Sequence, residues 1–259
     1  MPWAEMNAGG YAAFVRNYDR SSNIIWTRQF GSRLDVFAQG VASDDEDNVY
    51  ATGTVAGSLA GSRGALDGFV RKYTREGKVV WTRQFGTSAN DDLLDTAVAK
   101  SGVFVVGNTD GALSRPVQGG RDAFIRKYNL DGTVAWTAQF GGSNIDSANA
   151  VAVDSQGNAY VVGTVDYDNV SIRKFTPSAR VPWVKTIDYR EGANSTGVDV
   201  SGSSLYVAIE SLQSHVIKYD LDGKQVWIGS SWTATGRASA ISLQVLAESS
   251  SGDHSRHFC

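Results

Sequence analysis

"AFIRKYNLDGTVAWTAQFG", residues 123–141, reads as two strands joined by a tight turn. Phe124, Arg126 and Tyr128 fall on one side of an extended chain and Ile125 and Lys127 on the other, and "VAWTAQF" alternates in the same way. Asp131-Gly132 supplies the turn, because glycine reaches the positive φ that hairpin turns need. The following stretch, "ANAVAVDSQGNAYVVGTV" at 148–165, adds an apolar strand, a turn at Gly157/Asn158 and a second apolar strand. The unit is therefore four short antiparallel strands. No helical periodicity interrupts it, which excludes helical solenoids and α/β folds.

The unit recurs. "GFVRKYTREGKVVWTRQFG" stands at 68–86 and "AFVRNYDRSSNIIWTRQFG" at 13–31. Trp26, Trp81, Trp136, Trp183 and Trp227 mark five copies, in steps of 55 (26 to 81), 55 (81 to 136), 47 (136 to 183) and 44 (183 to 227). A period of this length built from four strands is a β-propeller blade rather than a β-helix coil. Identical neighbours need identical surfaces, so the Trp and Phe series is expected to fill the layers between blades. Gly53, Gly107 and Gly163 are expected where a bend or close approach leaves no room for a Cβ.

The order "AVAVDSQGNAYVVGT", "DAFIRKY", "DGTVAW", "QFGGS" resembles the bacterial SBBP (seven-bladed β-propeller) repeat over about residues 11 to 230. The resemblance implies a propeller, often in secreted or surface-exposed bacterial proteins, with no shared catalytic residues to carry over. Two departures stand out: five Trp marks rather than seven, and loss of "QFGGS" in the last two copies, which read "KTIDY" and "IGSS".

The phase of the repeat gives the expected architecture. The chain begins with an outer strand pair, roughly residues 12–18 and 23–30, and "ASAISLQV" at 238–245 matches the inner strand "ANAVAVDS". One domain over 1–245 with five four-stranded blades follows, the closing blade shared by both termini, with 246–259 as a disordered tail; the alternative is an open fragment of a larger propeller.

Composition bounds the function. A 42% hydrophobic content with ten Tyr, ten Phe and seven Trp describes a globular chain. A net charge of −3 leaves no basic excess for phosphates, so nucleic acid is not an expected partner. No apolar run is long enough to span a bilayer, and "MPWAEMNAGG" lacks the basic and apolar regions of an export signal, so a soluble monomer of open compartment is expected. Cys259 is the only cysteine, which excludes an intrachain disulfide.

The candidate site residues fall into three groups. Arg16, Arg71, Arg126 and Arg173 share one place in four copies, and such repetition points to packing on neighbouring aromatics rather than to an anion ring. Asp35, Asp92 (or its neighbour Asp91) and Asp146 lie in loops entering the inner strands; they are weak candidates for a cation or acid/base site at the channel mouth and better read as turn-formers. "DDEDN" at 44–48 lacks a calcium-loop spacing and reads as a hairpin turn.

The asymmetry between copies says more. The connections at 54–67 and 108–122 are long and Gly-rich, whereas their counterparts near 165–169 and 210–214 are short. The long ones contribute Arg63, Asp67, Asp110, Arg115, Arg121 and Asp122, a mixed-charge rim on the same face as the Asp-bearing loops. No catalytic set, metal site or cofactor is expected. The sequence thus points to a non-enzymatic scaffold presenting one loop face to a protein or cell-surface partner, with a lectin-like propeller as the alternative and a propeller enzyme behind both.

Overall fold

The computed structural model describes residues 10–167, 169–188, 194–211 and 214–231. These fold into strands alone. A two-stranded sheet comes first, β1 (Ala13–Tyr18) and β2 (Ile24–Phe30). Four antiparallel four-stranded sheets follow in chain order. The first full sheet holds β3 (Val36–Ser43), β4 (Val49–Val55), β5 (Asp67–Tyr73) and β6 (Val79–Phe85). The second holds β7 (Asp91–Ala99), β8 (Gly102–Thr109), β9 (Asp122–Tyr128) and β10 (Val134–Phe140). The third holds β11 (Ser147–Val153), β12 (Ala159–Val165), β13 (Asn169–Phe175) and β14 (Trp183–Ile187). The fourth holds β15 (Asn194–Ser201), β16 (Ser204–Glu210), β17 (Ser214–Asp220) and β18 (Gln225–Ser231).

Strand order within each sheet follows chain order, and the first strands touch one another from sheet to sheet: β3 with β7, β7 with β11, β11 with β15. This is a β-propeller of four-stranded blades with their first strands innermost. The fifth expected blade is present as its outer pair, β1 and β2. The expected closing strand, 238–245, and the expected tail, 246–259, lie outside the described residues.

The hairpins form as the turn residues dictate. In "DDEDN" the Asp44 carboxylate accepts the backbone N–H of Asn48 (2.9 Å), the Asn48 amide (2.9 Å) and the Tyr50 hydroxyl (2.9 Å). In "DSQGN" Asp154 accepts the same three groups from Asn158 and Tyr160. Asp47 takes the left-handed place (φ 60°) that Gly157 fills (φ 79°) two copies later. Each innermost pair carries a register shift, at 38/40, 93/95, 148/150 and 195/197. Gly53, Gly107 and Gly163 sit beside the first three of these, where a Cβ would overlap the carbonyl oxygens of Phe37, Asp92 and Ser147.

The core is not one mass but a layer between each consecutive pair of sheets. Trp26 and Phe30 pack with Phe69 and Tyr73; Trp81 and Phe85 pack with Phe124 and Tyr128. The Trp136 and Phe140 layer receives Phe175, and the last contains Trp183 with Ile217 and Tyr219. Each Trp also latches the next sheet: the indole N–H of Trp26 donates to Arg75 O (2.8 Å), Trp81 to Leu130 O (3.2 Å), Trp136 to Pro177 O (2.9 Å) and Trp183 to Leu221 O (3.3 Å). Trp26 and Trp81 are buried, Trp136 and Trp183 half-buried, and Trp227 exposed.

Candidate functional site

The arginine row packs as its repetition implies. The Nε atoms of Arg16, Arg71 and Arg126 donate to the hydroxyls of Thr27, Thr82 and Thr137 at 2.9, 2.8 and 2.8 Å. The guanidiniums of Arg71, Arg126 and Arg173 lie over Phe30, Phe85 and Phe140, 4.5, 4.2 and 4.6 Å from the ring centroids. Val184 stands opposite Arg173 where the other copies have Thr, and the buried Arg173 Nε has no hydrogen-bond partner among the described residues.

The carboxylates entering the inner strands do not converge. Asp35 accepts the backbone N–H of Tyr11 (2.8 Å). Asp146, 1% exposed, accepts those of Gly142 (2.8 Å) and Asp166 (3.2 Å). Asp92 faces Arg121 (3.8 Å), and burial pushes its carboxyl up. By register the counterpart of Asp146 is Asp91, the alternative the sequence offered: each is the sixth residue after Phe140 or Phe85 and donates its backbone N–H to the preceding loop, Asp146 to Arg121 O and Asp91 to Leu66 O. No group of three or more His, Cys, Asp or Glu among the described residues is placed to hold a metal.

The long connections run over 56–66 and 110–121, and their ends bridge to the strand entries of the next sheet through Leu66 with Asn90 and Arg121 with Ile145. They therefore share a face with the Asp-bearing turns. Most of their charges are spent internally. Asp67 and Asp122 are fully buried; Asp67 accepts the backbone N–H of Arg63 (2.8 Å) and the Gln84 amide (2.8 Å). Asp122 takes the Gln139 amide (3.0 Å) and an ion pair with Arg115 (3.4 Å). Arg121 is held by Asp110 (2.7 Å). Arg63 differs: its side chain is exposed and its guanidinium makes no hydrogen bond or ion pair among the described residues.

Three residue types escaped the sequence reading. Gln84 and Gln139 look like ordinary strand polars in "QFG", yet they clamp the long loops. Gln84 accepts the N–H groups of Leu59 (2.7 Å) and Ala60 (3.1 Å) and donates to Gly57 O (2.8 Å). Gln139 accepts those of Leu113 (2.8 Å) and Ser114 (3.0 Å) and donates to Gly111 O (3.0 Å). The recurrence of Gln before Phe at 29, 84 and 139 was the available signal. Asp95, on β7, accepts the Val151 N–H of the next sheet (2.9 Å), and burial pushes its carboxyl up to about 6. Arg83 donates through Nε to Gly132 O (2.8 Å), as Arg28 does to Gly77 O (2.7 Å).

Between the first and second full sheets, beneath both loops, runs an open groove of about 590 Å³. Arg63, Arg83 and Arg126 line it together with Thr87, Ser88 and Gly111.

Fold and loop face together define a β-propeller repeat protein. The SBBP family, described as a beta-propeller repeat, matches residues 25–54 and 135–164. Among curated proteins the chain is similar to the Regulatory protein FlaEY of Caulobacter vibrioides, 24% identical over 239 residues that cover 82% of this chain and 25% of that protein. Among solved structures it is similar to the Dos1 propeller (TM-score 0.54, 10% identity, 85% of this chain and 54% of that one). It is also similar to BamB from Moraxella catarrhalis (TM-score 0.47, 12% identity, 84% and 58%). The chain thus spans a quarter of the curated relative and just over half of each propeller. No helix among the described residues is long and apolar enough to cross a membrane.

Proposed function

We propose that this chain is a non-enzymatic interaction scaffold that presents the 56–66 and 110–121 loops to a protein or cell-surface partner. The observation that carries the reading is the pair of glutamine clamps. Two loops longer than the blade requires are each held by one strand side chain that satisfies two (Gln84) or three (Gln139) loop N–H groups and one loop carbonyl. A preordered loop loses less conformational entropy on docking. The third and fourth sheets join the equivalent strands over 166–168 and 211–213, so the extra length serves something other than the blade. The absence of enzymatic activity belongs to the proposal: the carboxylates nearest the loops are committed to turns and clamps. A sugar-binding reading needs free tryptophans, and four of the five repeat indoles donate to a neighbouring turn.

The test is to replace both loops with the short connections of the later sheets. Loop closure depends weakly on length, so the fold is expected to survive, while capture of partners from a lysate of the source organism is lost. Recovery of the same partners by the short-loop variant would place binding elsewhere.

A further inference from the structure

We propose that the groove between the first and second full sheets binds an oxyanion group of a partner, the chemistry shared by carboxylate, sulfate and phosphate, with Arg63, Arg83 and Arg126 as its recognition residues. A feature that recurs at every joint is explained by packing, so a feature that occurs at one joint calls for another account. The place of Arg83, two after the marker Trp, is Arg28 in the preceding copy but Ala138, Lys185 and Gly229 in the following ones. The place of Arg63, four before a buried Asp, is Gln118 in the next copy, where Arg115 is already paired with Asp122. At the joint between the second and third sheets, Arg173 therefore stands without counterparts of Arg63 and Arg83.

Two of the three arginines have packing duties that leave donors over. Arg83 spends Nε on Gly132 O and Nη1 on Thr82 O (3.1 Å), with its plane against Trp81; Arg126 spends Nε on Thr137 and lies over Phe85. Burial raises the Tyr128 hydroxyl against ionisation; Arg126, which is hydrogen-bonded to it, and Arg83 beside it oppose that shift. The two guanidiniums are thus fixed in orientation, and Arg63, unbonded, reaches the same groove from the loop. Fixed forks with spare N–H groups suit a planar or tetrahedral oxyanion.

No carboxylate lines the groove. Asp67 and Asp91 lie behind Gly86, fully buried, with oxygens bonded to Gln84, Thr87 and Thr109 or, for Asp67 Oδ1, filling the space that a Cβ on Gly86 would take. Asp131, in the turn beside Arg83, binds its own Thr133 (2.8 Å). These offset part of the arginine charge without offering an oxygen to the groove, which restricts it to ligands that make direct bonds rather than to any anion nearby.

The proposal rests on the loop-face reading, and its test is separate from partner capture. Binding of fluorescein-labelled hexaglutamate to the full chain is followed by anisotropy at low salt, with sodium sulfate and sodium phosphate as competitors that rank the oxyanions. Saturable binding is expected, about tenfold weaker in Arg63→Glu at unchanged melting temperature, as loss of one charge-assisted contact gives. Arg180→Glu, on a remote turn, is expected to bind as the parent does. Absence of saturable binding by all three probes, or equal binding by Arg63→Glu, overturns the proposal. A chain that binds hexaglutamate but captures no partner keeps the groove and loses the scaffold reading; capture without probe binding does the reverse.

Discussion

Single residues at the joints carry more of this fold than their number suggests. Trp81 fills the layer between two sheets and donates its indole N–H across it. Trp81→Ala is expected to cost on the order of 3–5 kcal/mol in denaturant unfolding, and Trp81→Phe, which keeps most of the packing and loses the bond, about 1–2 kcal/mol. A loss under about 1 kcal/mol for the alanine variant would show the indole to be dispensable. Asp95 makes a pH prediction. Its carboxyl, pushed up to about 6 by burial, holds a proton more tightly folded than unfolded. Stability from this group is therefore full in acid and declines as pH rises through about 6, by on the order of 2–3 kcal/mol. Asp91, Asp92 and Asp146 shift in the same direction and Asp19, Asp44 and Asp131 in the opposite one, so the measurement is the difference between parent and Asp95→Asn from pH 4 to 8. Identical slopes would remove Asp95 from the account. Ser171 occupies the slot that Phe69 and Phe124 fill, and its buried hydroxyl has no partner among the described residues. Ser171→Ala is expected to stabilise by up to about 1 kcal/mol in the same assay.

At the scale of elements, the loops depend on the strands beneath them. Gln139→Ala removes three bonds from loop N–H groups, one to the Gly111 carbonyl and one to Asp122 at the start of β9, while leaving β10 paired. Faster tryptic cleavage after Arg121 is expected, with far-ultraviolet circular dichroism unchanged; cleavage at the parent rate would show that the clamp does not order the loop. The strands themselves were legible in the sequence, because alternation and Asp-Gly or Gly-Asn turns are local signals: "FIRKY" became β9 and "DSQGN" the turn it resembles. The clamps were not, since nothing local tells a glutamine that its partners lie 24 to 28 residues upstream. Loop charge misled for a related reason. Asp67 and Asp122 read as rim residues by polarity, but their loops close over them. Arg63, on the same loop as Asp67, stays exposed.

For the whole molecule, repetition gave the architecture and the breaks in repetition gave the candidate site. By the phase of the repeat, 238–245 is expected as the inner strand of the sheet to which β1 and β2 belong. Phe14 and Tyr18 on β1 are 64% and 52% exposed, whereas their counterparts Phe69 and Tyr73 are buried. If that placement holds, deletion of residues after Arg237 lowers the melting temperature and promotes association in sedimentation velocity. An unchanged monomer would show that the two-stranded sheet stands without them.

The tryptophan latch bears on how such chains change length. Trp26 and Trp81 reach carbonyls 49 residues ahead, Trp136 one 41 ahead and Trp183 one 38 ahead, yet each lands two residues beyond the recurring aromatic of the next copy, Tyr73, Tyr128, Phe175 or Tyr219. The bond is keyed to position within a copy, not to distance along the chain. Duplication or loss of one whole copy in the gene leaves every latch with a mate, whereas a deletion that begins and ends out of phase strands one indole and one carbonyl. A whole copy can thus be gained or lost without stranding a latch, and within a copy the length is free to vary in the loops, as the steps of 55, 47 and 44 residues between tryptophans show.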